Sequence, residues 1–433
     1  QDNGVWYGPS TYRFSTGWKG SGSYPYKRIG GGDGMMVQID SRDNETVYSG
    51  SQFGYYSRLN LKTGKRISIH PKHQLGDSPY RYNWQTPILL SPHNQDILYM
   101  GANKLLRSMD QGATFDVISD DLTTGGKKGN VPYGTLATIS ESPFQFGLIY
   151  TGSDDGLIHV TKDGGNSWTN ITGNLPKNLW VSRVIASKFK KERVYATLNG
   201  YRSDDFTSYV YMSDNYGQTW KNIGNNIPTS AVNVIKEDSK NEKLLYVGTD
   251  NGLYVTFNNG GSWHPFSNGI PNVAVHDLVI QERENDLVVG THGRSIYKTN
   301  ISRLQKFDTY SSKRTHLFKI PSLRSSSRWG SSWSQFSPVN TPKIKFEVFS
   351  NIAKKTTVSI YSGDILVNYF AVSLDKGFNS VSYDVSFSKK GKKAFEKANK
   401  KKKLKAAQNG AFYLPKGKYT VNINGEKQTL QIK

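Results

Sequence analysis

The feature that most limits how this chain can fold is a recurrence of about fifty residues, a period that belongs to stacked or ring-arranged supersecondary units. Six β-like runs carry it: Val47-Tyr48-Ser49-Gly50, Leu98-Tyr99-Met100-Gly101, Ile149-Tyr150-Thr151-Gly152, Val194-Tyr195-Ala196-Thr197, Leu245-Tyr246-Val247-Gly248 and Leu287-Val288-Val289-Gly290. Their second positions are 51, 51, 45, 51 and 42 residues apart. Each run follows another apolar stretch, such as Ile88-Leu89-Leu90 or Val232-Asn233-Val234-Ile235, by about ten residues, a spacing that suits two antiparallel strands and a turn. Neither stretch is long enough for a helix.

A second feature follows the first at a near-fixed offset. Ser108 to Phe115, Thr161 to Trp168, Ser213 to Trp220 and Thr256 to Trp263 share the pattern Ser/Thr-x-Asp/Asn-x-Gly-x-x-aromatic. Asp110, Asp163, Asn215 and Asn258 are expected to fold their side chains onto the turn backbone, the glycine to take the positive φ, and the aromatic to enter the next strand. Four strands per unit, repeated, predict an all-β chain built on a β-propeller of about seven blades over residues 1 to 302.

The turn pattern resembles the Asp-box, or bacterial neuraminidase repeat. The resemblance implies that these Asp and Asn residues are structural, on the outer part of each blade, with no catalytic role. Longer segments, Gln1-Asp2-Asn3-Gly4, Gly30-Gly31-Gly32-Asp33-Gly34, Arg81-Tyr82-Asn83-Trp84 and Val275-His276-Asp277-Leu278 through Gly290-Thr291-His292-Gly293-Arg294, resemble exported proteins of the Bacteroidota type, sortilin-like or glycosyl-hydrolase-like, with two propellers in tandem. That resemblance implies the second propeller and a C-terminal domain, and places the protein in the periplasm or on the outer-membrane surface. Eukaryotic sortilins have a cysteine-rich segment after the propeller, and this chain has no cysteine. Gln1 to Trp6 reads as the same second-to-third-strand turn as Thr249 to Tyr254, so the first blade is expected to be incomplete here and completed by an upstream propeller or a partner chain.

Charge divides the chain. Residues 1 to 300 carry 30 Lys+Arg and 27 Asp+Glu, a net +3, and residues 301 to 433 carry the other 26 and 7, a net +19. A near-neutral propeller has no long-range field to attract nucleic acid. Residues 303 to 342 lose the period and become rich in Ser, with Trp329 and Trp333, and are expected to be a linker packed on the propeller. Alternation resumes from Ile344, and residues 343 to 433 are expected to form a small immunoglobulin-like β-sandwich, which the segment from Gly377 to Asp384 resembles. Inserted in it, residues 389 to 405 hold ten Lys and one Glu. Lys392, Lys393, Lys400, Lys401, Lys402 and Lys403 are the candidates for contact with an anionic membrane surface or acidic partner, against the plainer reading of a solvated hairpin or helix. Without arginine in the run, base readout is not expected.

Residues entering the innermost strands of a propeller rim the mouth of its channel, where ligands bind. That rule selects Asp33, Arg81, Asn83, Trp84, Tyr133, Trp180, His276 and Asp277, with Arg294 near them. Trp84 and Trp180 are suited to stack on a sugar or cap a peptide, and Arg81 and Arg294 to hold a carboxylate. The plainer reading makes Trp84 and His276 fillers of the propeller centre and Asp277 a turn cap. Glycoside hydrolysis needs two carboxylates about 5–10 Å apart, and Asp33 and Asp277 are the rim candidates. No phosphate loop, zinc motif or nucleophile elbow is present, so no cofactor or metal is expected. The first expectation is therefore a non-catalytic module of the bacterial envelope that binds protein, peptide or glycan. The alternative is the C-terminal half of a two-propeller polysaccharide hydrolase.

Overall fold

The computed structural model describes residues 3–12, 16–22, 24–129, 133–400 and 403–433. Gln1 and Asp2 of the opening turn, and Lys401 and Lys402, lie outside them. The chain forms two compact units, Gln1–Gln305 and Lys306–Lys433.

The first unit is a propeller of antiparallel sheets that follow one another in sequence. The first sheet has two strands, Val5–Tyr7 and Lys27–Gly30. Five four-stranded sheets follow, opening with Val37–Ile39, Ile88–Leu90, Leu136–Glu141, Trp180–Ala186 and Val232–Glu237, and a three-stranded sheet opens with Val275–Gln281. Every four-stranded sheet is a simple meander, each strand pairing with the next in the chain.

The recurring tyrosines explain the period. Tyr48, Tyr99, Tyr150, Tyr195 and Tyr246 all sit on the second strand of their sheets and are fully buried. Separate apolar clusters lie between successive sheets from the second to the seventh, as where Tyr150, Ile158 and Val160 of one sheet meet Val181, Val194 and Leu198 of the next. At ~1.5–3 kcal/mol for each large side chain buried, these interlayers are the main stabilising term, and no single sheet can form one alone. Two of them carry a polar staple. Glu141 accepts from Tyr99 Oη at 3.0 Å and Ser91 Oγ at 2.6 Å, and Glu237 accepts from Tyr195 Oη at 3.0 Å and Ser187 Oγ at 2.8 Å.

The four corner turns join the third strand of a sheet to the outermost fourth. In the turn after Ile158–Thr161, Thr161 Oγ1 donates to Asp163 at 2.7 Å, while Ser167 N and Oγ donate to the two carboxylate oxygens at 3.0 and 2.6 Å. Asn215 accepts from Ser213 Oγ and Thr219 N in the same way, and its amide donates to Thr219 Oγ1 at 2.9 Å. The turns also reach outward. Each turn glycine, Gly112, Gly165, Gly217 and Gly260, has positive φ and lies against the isoleucine that ends the preceding blade: Ile69, Ile118, Ile171 or Ile223. In three copies the indole N–H of the aromatic, Trp168, Trp220 or Trp263, donates to the carbonyl of that isoleucine at 2.8, 2.7 and 2.6 Å.

The second unit is a β-sandwich. A three-stranded sheet (Thr315–Leu317, Ile344–Ser350, Gly377–Tyr383) and a four-stranded sheet (Ile365–Leu374, Lys354–Ser362, Gly417–Ile423, Glu426–Ile432) share one apolar core containing Phe346, Val348, Val358, Ile360 and Val421. The stretch expected to be a linker differs from that reading. Thr315–Leu317 is an edge strand of the sandwich, pairing with Val348 to Ser350. It was not recognisable because three residues, Thr315-His316-Leu317, are too few to show alternation. The Lys-rich insertion is a helix, Lys389–Ala398, capped by Ser388 Oγ accepting from Gly391 N at 3.0 Å. Phe395 is buried, and Gly391 lets the helix lie directly on the strand carrying Val367. Lys393 and Lys400 are exposed, as is Lys403. Lys392 is not a free surface cation: it pairs with Glu396 at 3.2 Å and lies 4.3 Å above the Phe412 ring.

Candidate functional site

Two cavities mark the face where the innermost strands begin. The first, of about 140 Å³, is the mouth of the axial channel, lined from six consecutive sheets by Met36, Asn83, Ala137, Trp180, Asn233 and His276 among others. A repeated irregularity builds it. The pairing of the first two strands shifts by one residue at Leu136/Thr138, Val181/Arg183, Val232/Val234 and Val275/Asp277. The extra residues, Ala137, Ser182, Asn233 and His276, all line the mouth. A β-bulge re-aims the side chain it inserts, so four blades deliver one residue each to the same ring.

Hydrogen bonds hold the polar members of this ring. Asn83, buried, donates to Thr135 Oγ1 at 2.8 Å and accepts from Gln85 N at 3.0 Å. Asn199 donates to Asn233 Oδ1 at 2.9 Å, and Asn233 donates to Asp250 at 2.8 Å. The Arg202 guanidinium lies 4.2 Å over the Trp180 ring, so one face of that indole is already occupied. His276 and His292 approach with ring centroids 5.4 Å apart. The surrounding walls and then His292 push the His276 imidazole below its ordinary value, so it is a neutral hydrogen-bonding group at pH 7.

The second cavity, of about 750 Å³, is a groove beside the mouth, formed by a turn of the second sheet, the connection from the second to the third sheet and the loop after Asp121. Aromatic rings cover it. Tyr55 stacks on His70 with centroids 4.5 Å apart, His70 meets Tyr82 at 5.1 Å, Tyr82 meets Tyr80 at 6.2 Å, and Tyr80 meets His73 at 6.5 Å. Tyr55 stays 61% exposed, so its outer face is free to stack on a ligand. A strained turn presents it: Phe53 has a φ of 58°, and Gly54, whose carbonyl accepts from His70 Nδ1 at 2.7 Å, has a φ of 77°. Left-handed backbone at a non-glycine residue costs about 1–3 kcal/mol and persists where the surroundings enforce it. Lys72, Arg81 and Lys127 border the groove, and no carboxylate is among the described residues that line it.

The residues selected from sequence separate accordingly. Asn83, Trp180 and His276 reach the mouth, and Arg81 and Tyr133 reach the groove. Tyr133 is covered by the Lys127 amine at 3.9 Å. Arg81 does not offer a free guanidinium, because it donates to Asp121 at 2.6 Å, Thr123 Oγ1 at 3.0 Å and the Gly134 carbonyl at 3.1 Å. Its role is to pin the loop that walls the groove. Trp84, 39% exposed and edge-on to Phe53 at 5.0 Å, does not fill the propeller centre. Arg294 is exposed in the turn between the last two strands of the seventh sheet and belongs to neither cavity. Asp33 is half-buried ahead of the second sheet, and Asp277 faces the channel below the mouth, where Arg183 holds it at 2.8 Å. The structure does not bring these two carboxylates into one cavity. Tyr55, His70, Tyr80 and Tyr82 escaped selection because they lie in loops that do not repeat. The mouth residues Asn199, Arg202 and Asn233 carry no such signal: Asn233 is turned inward by its bulge, Asn199 lies near the end of a second strand, and Arg202 lies in the helical turn that follows.

Comparison with known proteins gives partial matches. The family described as Sortilin, neurotensin receptor 3 (Sortilin-Vps10) matches residues 208–359, which supports a propeller of the sortilin type. An oligoxyloglucan-reducing end-specific xyloglucanase from Emericella nidulans is 21% identical over 46% of this chain, and a xyloglucanase from Hypocrea jecorina is 27% identical over 39% of it. The matched stretches span only 25% and 18% of those two relatives. Among solved structures, a GH74 xyloglucanase from Xanthomonas campestris is 16% identical with a TM-score of 0.49, covering 66% of this chain and 49% of that one. A GH74 enzyme from Niastella koreensis is 15% identical with a TM-score of 0.46, covering 91% and 64%. The architecture rests on the sheets themselves, since likeness at that level adds no argument.

Proposed function

We propose that this chain is the glycan-holding part of a polysaccharide-degrading protein, with the aromatic groove and the adjoining mouth as the substrate surface. The observation that carries this reading is the exposed ring of Tyr55, held by face-to-face stacking on His70 at the edge of an aromatic cluster bordered by cations and hydroxyls; its outer face suits the flat face of a pyranose ring. The curated relatives support a polysaccharide substrate, and so favour the hydrolase alternative over a non-catalytic envelope module. Neither cavity offers a pair of free carboxylates, so the acid and base of a hydrolysis would not both come from this propeller. Among the described residues selected for the rim, Asp33 is the carboxylate without an ion pair, and a second would be supplied by another domain or chain at the bacterial surface.

Titration of the protein with xyloglucan oligosaccharides, followed by calorimetry, tests the reading. Saturable binding that weakens about tenfold or more, ~1.4 kcal/mol, in Tyr55→Ala and in Tyr80→Ala is expected. Absence of binding to xyloglucan, cellulose-derived and bacterial glycans alike would refute it. Release of reducing ends that Asp33→Asn abolishes would make this chain catalytic as well as binding.

A further inference from the structure

Below the mouth the axial channel widens into a cavity of about 190 Å³ walled by the innermost strands of six sheets. Ile88, Ile139, Ile185 and Ile235 line it together with the polar side chains of Gln38, Thr138 and Ser140. The charged groups that face the channel come from three strands. Arg183 on Trp180–Ala186 binds Asp277 on Val275–Gln281 across the axis at 2.8 Å. Lys188 and Glu282, just beyond the ends of those two strands, form a second ion pair. Between them, on Val232–Glu237, stands Lys236, whose amine has neither hydrogen bond nor ion pair. Among the described residues that line the cavity, two cations, Arg183 and Lys236, therefore meet one carboxylate, Asp277. A second donor is also unmatched: Arg183 Nε is buried and has no hydrogen-bond partner.

An unpaired ammonium and a buried, unmatched guanidinium N–H that meet in one confined channel favour the entry of a counter-charge that can also accept hydrogen bonds. The enclosing protein lowers the Lys236 amine from its ordinary value, and Lys188 and Arg183 lower it further against the opposing effect of Asp277 and Glu282. Water alone would satisfy the hydrogen bonds and leave the excess charge. An anion answers both, and the cavity has room for one of a few heavy atoms, since a water molecule takes about 30 Å³ of liquid.

We propose that the axial channel holds one small inorganic anion, of chloride or phosphate size, between the Lys236 amine and Arg183 Nε. The site is separate from the aromatic groove and would join the fifth and sixth blades through a common ligand.

The test is a thermal-unfolding series on the intact chain at constant pH and ionic strength, with sodium chloride or sodium phosphate exchanged for the bulky buffer salt of 2-morpholinoethanesulfonate. A saturable rise in midpoint with chloride or phosphate is expected, with the apparent dissociation constant weakened at least tenfold in Lys236→Gln and Lys236→Met. Midpoints that do not depend on the anion, or an affinity that these substitutions leave unchanged, would overturn the proposal. If the variants do not fold, NMR of the labelled lysine side chain in the wild type decides. A charged Lys236 whose resonance shifts saturably with the anion supports the site, and a neutral amine indifferent to it overturns the site.

Discussion

Adding one methyl group at Gly217 tests whether the corner turns hold neighbouring blades together. The new Cβ would lie 2.3 Å from Ile171 Cδ1 and 3.1 Å from Ile171 Cβ, on backbone with a φ of 85°. Gly64 is the matched control, because its φ is 72° and nothing lies within 4 Å of the position its Cβ would take. Both alanine variants carry the left-handed penalty of about 1–2 kcal/mol for an L-residue. Only Gly217→Ala adds overpacking against the preceding blade, at about 1–3 kcal/mol. Urea unfolding followed by circular dichroism should therefore give a loss of ~1–2 kcal/mol for Gly64→Ala and ~2–5 kcal/mol for Gly217→Ala. Ile171→Val removes the atom in closest conflict, so the double variant should be more stable than the sum of the single losses allows. Equal losses at the two glycines, with additive behaviour in the double variant, would refute an inter-blade role for the turn.

Further outcomes follow from the carboxylates and the helix. Asp110 and Asp163 are held at about 2, by bonds from Thr114 and Ser108 and from Ser167 and Thr161 respectively, so they stabilise the fold above the ordinary value of 3.8 and lose that contribution as pH falls toward 2. Asp110→Asn and Asp163→Asn should flatten acid unfolding in this range while leaving glycan affinity unchanged. Glu237 behaves oppositely: burial raises it above 4.5, so its ionisation costs stability as pH climbs through the raised value. The deficit of Glu237→Gln relative to wild type should shrink from pH 4 to pH 7 in denaturant titrations, and a deficit that grows would reject the buried staple. Gly391→Ala would place a Cβ 1.9 Å from the Val367 carbonyl oxygen, and should expose the helix Lys389–Ala398 to proteolysis.

What could be read from the sequence is what is local and repeated. The tyrosines of the second strands and the corner turns announce themselves because each copy meets the same surroundings, a core interlayer or a four-residue hydrogen-bonded loop. Asn215 and Asn258 substitute for Asp110 and Asp163 because the turn needs one acceptor oxygen more than it needs a charge. The mouth was only partly legible. Asn83 follows from its place ahead of an inner strand and Trp180 from opening one, but the bulges that aim Ala137, Ser182, Asn233 and His276 inward depend on pairing with the next strand. Arg81 misled because its partner Asp121 is 40 residues away in the chain and the ion pair exists only after the third sheet has formed. The groove was missed for the reason that makes it useful: Tyr55, His70 and Tyr80 sit in insertions free of the repeat's constraints. The edge strand Thr315–Leu317 was lost among the Ser-rich residues that follow it.

The contacts between corner turns and isoleucines run in one sense around the ring, each blade gripping the one made before it. Each such turn thus takes its docking carbonyl from a segment that precedes it in the chain, so the latch of one blade depends on the blade before it and not on the one after. Loss of a blade in the middle would strand the next turn without its anchor while leaving the earlier blades latched. Hydrogen exchange should accordingly fade asymmetrically from such a lesion, faster on its C-terminal flank.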